Sequence, residues 1–96
     1  MKKFSHVGKL SKFNMDTGAW MYISVPTDKI PKLEKKRGWG SVPIIASVGG
    51  SSWPTSIFPM KKDNYFIPIK KKIYLKEDLD LGDEFLIVYT IDNTRL

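Results

Sequence analysis

Two groups of side chains in this sequence are able to engage a ligand. The first is a set of lysines: Lys61 and Lys62, then Lys70, Lys71 and Lys72, then Lys76. An ammonium is a compact, strongly hydrated point charge, so such a set would hold an anion by charge alone. The forked two-bond geometry of arginine is scarce, because Arg37 and Arg95 are the only arginines. Lys61, Lys62, Lys70, Lys72 and Lys76 are the candidate anion-binding residues. The second group surrounds Trp53, where Ser51, Ser52, Thr55 and Ser56 offer hydroxyl donors to a small anion or metabolite. Trp39, flanked by Gly38 and Gly40, joins them as the tryptophan best placed to be exposed. Each group also has a plainer reading: a solvated lysine face, and polar residues bonding their own backbone.

Other chemistries are not supported. There is no cysteine, so disulfides, thiolate catalysis and Cys-based zinc sites are excluded. His6 is the only histidine, and no recognisable motif ties a serine to it. Glu77, Asp78, Asp80, Asp83, Glu84 and Asp92 follow Lys76 with no base until Arg95. They cluster on an expected turn instead of facing each other across a cleft, and Asp78 and Asp80 lack the other ligands of a calcium loop. Asp83, just after Gly82, is expected to accept backbone N–H groups at a tight turn. The glycines form neither a dinucleotide nor a phosphate-loop pattern. No catalytic residue, metal site or cofactor is expected.

The net charge of +6 favours encounters with anions and also keeps a small protein in solution. Six acids just downstream of the lysines oppose a continuous basic stripe, so nucleic acid is a weaker candidate partner than the net charge implies. The 96 residues make one domain with a core over about 4–92, and 42% hydrophobic content suffices for it. No apolar run is long enough for a membrane helix, and the cytoplasm is the expected location.

The elements that must position these side chains are short strands. Phe4–Phe13 is expected as a first strand with Gly8 as its bend, and 14–18 as a turn. Ala19–Val25 follows, with Trp20, Tyr22 and Ser24 on one face and Met21, Ile23 and Val25 on the other. Pro26 ends it, because proline has no N–H for the ladder. Thr27–Arg37 alone has helical spacing, through Ile30 and Leu33. In the next strand, 40–48, Val42, Ile44, Ala46 and Val48 share a face, and Gly49-Gly50 marks a hairpin. A short strand at Thr55–Phe58, a strand at Tyr65–Leu75, a compact turn or one helical turn through 76–82 and a strand at Glu84–Ile91 complete the chain. In the Tyr65–Leu75 strand, Lys70 and Lys72 would share a face and Lys71 the opposite one. Six strands and one short helix imply a mainly β fold, a small six-stranded barrel. An echo links Val25-Pro26 and Gly40 before Val42 with Ile67-Pro68 and Gly82 before Phe85, as two β–turn–β units in one barrel would leave.

Trp20 with Val25-Pro26, Val42-Pro43-Ile44, Trp53 with Thr55-Ser56-Ile57 and Pro59, Tyr65 to Lys70, and Leu81-Gly82-Asp83 resemble the DUF1905 family over residues 4–92. This resemblance implies a small prokaryotic protein with a double-split β-barrel and brings no reaction or catalytic set. The Gly49–Trp53 loop is more glycine-rich than the family pattern, and the 77–80 turn is more acidic. The segment from Ile67 to Phe85 is also similar to the β–turn–β unit of AbrB-type regulators, although fold likeness does not transfer DNA binding.

Three functions follow. One is a non-enzymatic module that contacts a protein partner, as a monomer or weak homodimer. Another is small-ligand binding near Trp53. The third is weak, sequence-independent nucleic-acid binding through the lysines. The large aromatics Trp20, Trp39, Trp53, Tyr22, Tyr65, Tyr74 and Tyr89 are expected chiefly as core filling.

Overall fold

The computed structural model describes residues 3–15, 18–26, 41–60 and 64–95. The strands are β1 (Phe4–Lys9), β2 (Ser11–Met15), β3 (Gly18–Pro26), β4 (Val42–Val48), β5 (Ser51–Pro59), β6 (Asn64–Pro68) and β7 (Glu84–Ile91). A helix, α1 (Lys71–Lys76), lies between β6 and β7, and a 3₁₀ turn at Asn93–Arg95 follows β7. The expected helical stretch Thr27–Arg37, and with it the connection of the first echo unit through Gly40, lies outside the described residues.

All pairings are antiparallel, in the order β1-β7-β4-β5-β6-β3-β2. The sheet curls into a half-barrel. Its first and last members are neighbours in the chain, separated by Leu10 alone. One chain segment therefore serves both ends of the sheet, and the fold is mainly β with seven strands where six were expected. The expected single strand Phe4–Phe13 breaks at Leu10 rather than bending at Gly8. Leu10 is 1% exposed, and its backbone leaves the ladder to bond the turn before β7. Its N–H donates to the Asp83 carbonyl at 2.9 Å, and its carbonyl accepts from Gly82 N–H at 2.8 Å. Gly8 does something else: a Cβ there would lie 3.0 Å from Ile23, so the missing side chain lets β1 lie against β3.

Period-two alternation builds the core, because successive strand residues point to opposite faces. Ile23 and Val25 of β3 are fully buried, whereas Trp20 on the opposite face is 53% exposed. Val42, Ile44, Ala46 and Val48 form the expected inner face of β4, and Ile57, Ile67, Ile87 and Tyr89 complete the layer. Fully burying a side chain of the Val or Ile class contributes about 1.5–3 kcal/mol, so this layer dominates stability. Pro43 sits in a central strand without loss, because the β4–β7 pairing begins one residue later, at Ile44↔Ile91. The Gly49-Gly50 hairpin forms as expected, with Val48 opposite Ser51. The strand expected at Thr55–Phe58 is longer, running from Ser51 to Pro59.

The expected strand Tyr65–Leu75 is corrected. β6 ends at Pro68, Ile69 N–H makes a last bond to the Met21 carbonyl at 2.9 Å, and the chain then turns into α1. In a strand, Lys71 would have faced inward between Ile69 and Ile73. In the helix Ile73 alone is buried, at 5% exposure, and Lys70, Lys71, Lys72 and Lys76 all reach solvent. Avoiding a buried ammonium favours the helix. α1 closes with Asp78 at φ 55°, Leu79 N–H bonding the Tyr74 carbonyl at 2.8 Å and Asp78 N–H bonding that of Leu75 at 3.3 Å. This is a Schellman closure. The next turn has Gly82 at φ 89° and Asp83 N–H on the Asp80 carbonyl at 3.0 Å. As expected, the Asp83 carboxylate also accepts a backbone N–H, that of Asp80, at 2.8 Å. No helix among the described residues is long and apolar enough to cross a membrane.

Candidate anion-binding pocket

α1 is too short to hold itself in place by helix propensity. It is fixed by Ile73 entering the core and by a bond from its C-terminal end to the β4–β5 hairpin. There Ser51, 4% exposed, donates its hydroxyl to Glu77 Oε2 at 2.6 Å. The Glu77 carboxylate overlies Gly49, where any Cβ would collide with Oε1. Gly49 is at φ 57°, so backbone conformation and the carboxylate both require glycine there.

This docking creates a recess of about 350 Å³ between helix and hairpin. Ser51, Ser52 and Trp53 line one side, and Lys70, Lys72 and Lys76 line the other, with Ile73 between them. Residues from two groups that were separate in the sequence thus meet in one recess. None of the three lysines is engaged in an ion pair with a described carboxylate. The Glu77 carboxylate, held on the Ser51 hydroxyl, is one acid against the three ammonium groups of the opposite wall. The recess is therefore rimmed by ammonium groups with hydroxyls behind them, an arrangement that attracts anions.

The remaining candidates divide by strand parity. Ser51, Trp53 and Thr55 share the inner face of β5, opposite Val48, Ala46 and Ile44 respectively. Ser52 and Ser56 lie on the outer face, and the Ser52 and Ser47 hydroxyls are 2.7 Å apart. Thr55 and Ser56 do not line the recess. The polar residues around Trp53 lie in a strand and not in a loop, and two of them bond other side chains, Ser51 to Glu77 and Ser52 with Ser47. Trp39, Lys61 and Lys62 lie outside the described residues. Trp53 is 5% exposed, and its indole N–H is buried with no hydrogen-bond partner among the described residues. Burying an N–H unpaired costs about 1–3 kcal/mol, so Trp53 is kept for its ring and not for its donor.

Sequence reasoning missed Glu77 as the residue that fixes the recess. The signal was its place immediately after Lys76, the one carboxylate next to the lysine run. Lys71 turns away from the recess and lines a separate groove with Trp20. His6 lies on β1 opposite Ile87. Among the described residues, no three His, Cys, Asp or Glu side chains converge as metal ligands would.

Residues 8–88 match the family model described as Domain of unknown function (DUF1905). No curated protein and no solved structure matches the chain.

Proposed function

Taking as premise that the chain belongs to the DUF1905 family, a description that names no reaction, we propose that it is a non-enzymatic binding module for a small anion. The anion sits between α1 and the β4–β5 hairpin, against the ammonium groups of Lys70, Lys72 and Lys76. Ser52 supplies a hydroxyl, and the Ser51–Glu77 bond holds the two walls together. One observation carries this reading: Lys70, Lys72 and Lys76 line one wall of a recess against the Ser51–Trp53 strand, with no ion pair to a described carboxylate. Ligands with two or more negative charges on a compact group, such as phosphate or pyrophosphate, fit it better than monocarboxylates. Each lysine then adds a Coulomb term of about 1 kcal/mol at a partly solvated site.

Backbone amide spectra of the full chain titrated with inorganic phosphate and with pyrophosphate test the proposal. Saturable shifts are expected at Ser51, Ser52 and the 70–76 segment, larger for pyrophosphate. Lys72→Gln with Lys76→Gln is expected to weaken binding on the order of tenfold or more, since 1.4 kcal/mol is a factor of ten. Shifts spread over all surface lysines, or unchanged affinity in the double variant, would sink it.

A further inference from the structure

The pocket leaves unused a run of rings on the outer face of β2, β3, β6 and the end of β5. Phe13 stacks on Tyr22, with centroids 4.1 Å apart and planes at 18°. Phe66 meets both edge-on, at 5.2 and 5.8 Å, and Phe58 lies 5.5 Å from Phe66. The four rings come from four neighbouring strands, so the ladder crosses that side of the half-barrel from edge to corner. Trp20 pairs with Phe13 and shares the Tyr22 face of β3, yet it is 53% exposed.

Two recesses flank Tyr22. One, of about 370 Å³, is lined by Trp20, Pro68, Lys70 and Lys71 among others. The other, of about 460 Å³, includes Phe13, Ser24, Asn64 and Phe66. Charge separates this side from the rest of the molecule. None of β2, β3, β5 and β6 contains an Asp or Glu. Lys70 and Lys71 stand exposed at the Trp20 end. Of the acids of the 77–92 segment, Glu77, Asp78, Asp80 and Asp83 lie between α1 and β7, Glu84 opens β7 and Asp92 follows it.

We propose that this face binds single-stranded nucleic acid. Bases stack on Trp20 and enter the two recesses, while the backbone phosphates lie along Lys70 and Lys71. The chemistry selects this partner over others. A polyanion is attracted to lysines set beside strands that carry no carboxylate, and flat rings give every base a stacking surface regardless of sequence. A duplex offers the phosphates but keeps its bases stacked and out of reach of Trp20. An apolar protein surface would gain nothing from the missing carboxylates. The inference differs from a basic strand reading lysines alone, because Trp20 is its centre. It does not rest on the phosphate pocket, although Lys70 lines both recesses.

The test is a titration of the full chain with a fluorescein-labelled oligothymidylate, beginning near 50 mM salt. Saturable binding that weakens steadily with salt is expected, with tighter binding to the single strand than to a duplex of the same length. Trp20→Ala is expected to lower affinity roughly tenfold, within the range that one stacked base contributes. It should leave phosphate and pyrophosphate titrations at the pocket unchanged, which separates this inference from the proposed function. Lys71→Gln is expected to reduce the slope of log affinity against log salt by about one. No binding at low salt, equal affinity for duplex, or unchanged affinity in Trp20→Ala would each overturn the proposal. Inorganic polyphosphate competing equally well against the wild type and Trp20→Ala would do the same, by reducing the interaction to charge.

Discussion

The two halves of the outer surface follow the same strand alternation and reach opposite results. Across β2, β3, β6 and the end of β5, the outward positions hold rings that touch one another and no carboxylate. Across β1, β7 and β4 they hold aliphatic and small polar residues: Val7 opposite Leu86, Ser47 beside Val88, and Lys9 opposite Glu84. Leu86 and Val7 are 52% and 57% exposed, whereas the ladder rings Phe13, Tyr22, Phe58 and Phe66 are half-buried. The same sheet therefore has one outer face whose rings pack into a half-buried row and one whose aliphatic pair Val7 and Leu86 stays more than half exposed. Packing on an outer face costs nothing in the core, so the ladder serves stability and a surface at once, and the aliphatic side serves neither strongly.

The sharpest test of that contrast removes one side chain from each half. Phe66 touches Phe13, Tyr22 and Phe58. Phe66→Ala is expected to destabilise by about 2–3 kcal/mol, somewhat less than truncating a fully buried Phe. Leu86→Ala, on the opposite half, is expected to stay within about 0.5 kcal/mol. Urea unfolding of both variants measures the difference. Equal losses would mean that the two halves do not differ as their contacts imply.

How far the sequence foretold this arrangement depends on the residue. The faces of β3 and β4 were legible because Ile23, Val25, Val42, Ile44 and Ala46 keep a strict period of two with nothing interrupting it. The 65–75 segment misled for a definite reason. Ile67, Ile69 and Ile73 fit a strand period, but Ile69 and Ile73 are also four apart, which fits a helix equally well. Pro68 was a visible signal against a continuing ladder, while the burial cost of Lys71 is a tertiary fact, and together they decide for the helix. The lysines and the Ser51–Trp53 group were legible as chemistry. Their meeting was not, because it depends on where α1 docks. The ladder was invisible for a related reason: Phe13, Tyr22, Phe58 and Phe66 belong to separate strands and each reads alone as core filling.

Besides the β4–β5 ladder and the Leu10 bonds, the two halves meet at two further places, and these rank the smaller predictions. At the seam, Gly8 of β1 packs against Ile23 of β3. Gly8→Ala would put a methyl 3.0 Å from two Ile23 carbons and 3.1 Å from His6 Nε2. Ile23 is fully buried and has little room to move aside. A loss of about 1–2 kcal/mol is expected, as for other overpacked sites, measured by thermal or urea unfolding. An unchanged midpoint would show that β1 slides freely on β3 and that the halves are not locked there.

The second joint is the Ser51–Glu77 hydrogen bond, which ties the helix leaving the aromatic half to the hairpin of the aliphatic half. Ser51→Ala removes one hydrogen bond to a charged acceptor and is expected to cost about 1–1.5 kcal/mol. The alanine at a site 4% exposed offsets part of this loss, so the effect should fall below that of Gly8→Ala. A double-mutant cycle with Glu77→Ala isolates the pair, because each single variant also alters local packing. A coupling near zero would mean that Ile73 alone holds α1 down. A coupling of about 1 kcal/mol would mean that the hairpin and the helix move as one, and that the lysine rim stands at a fixed distance from Ser52 before any anion arrives.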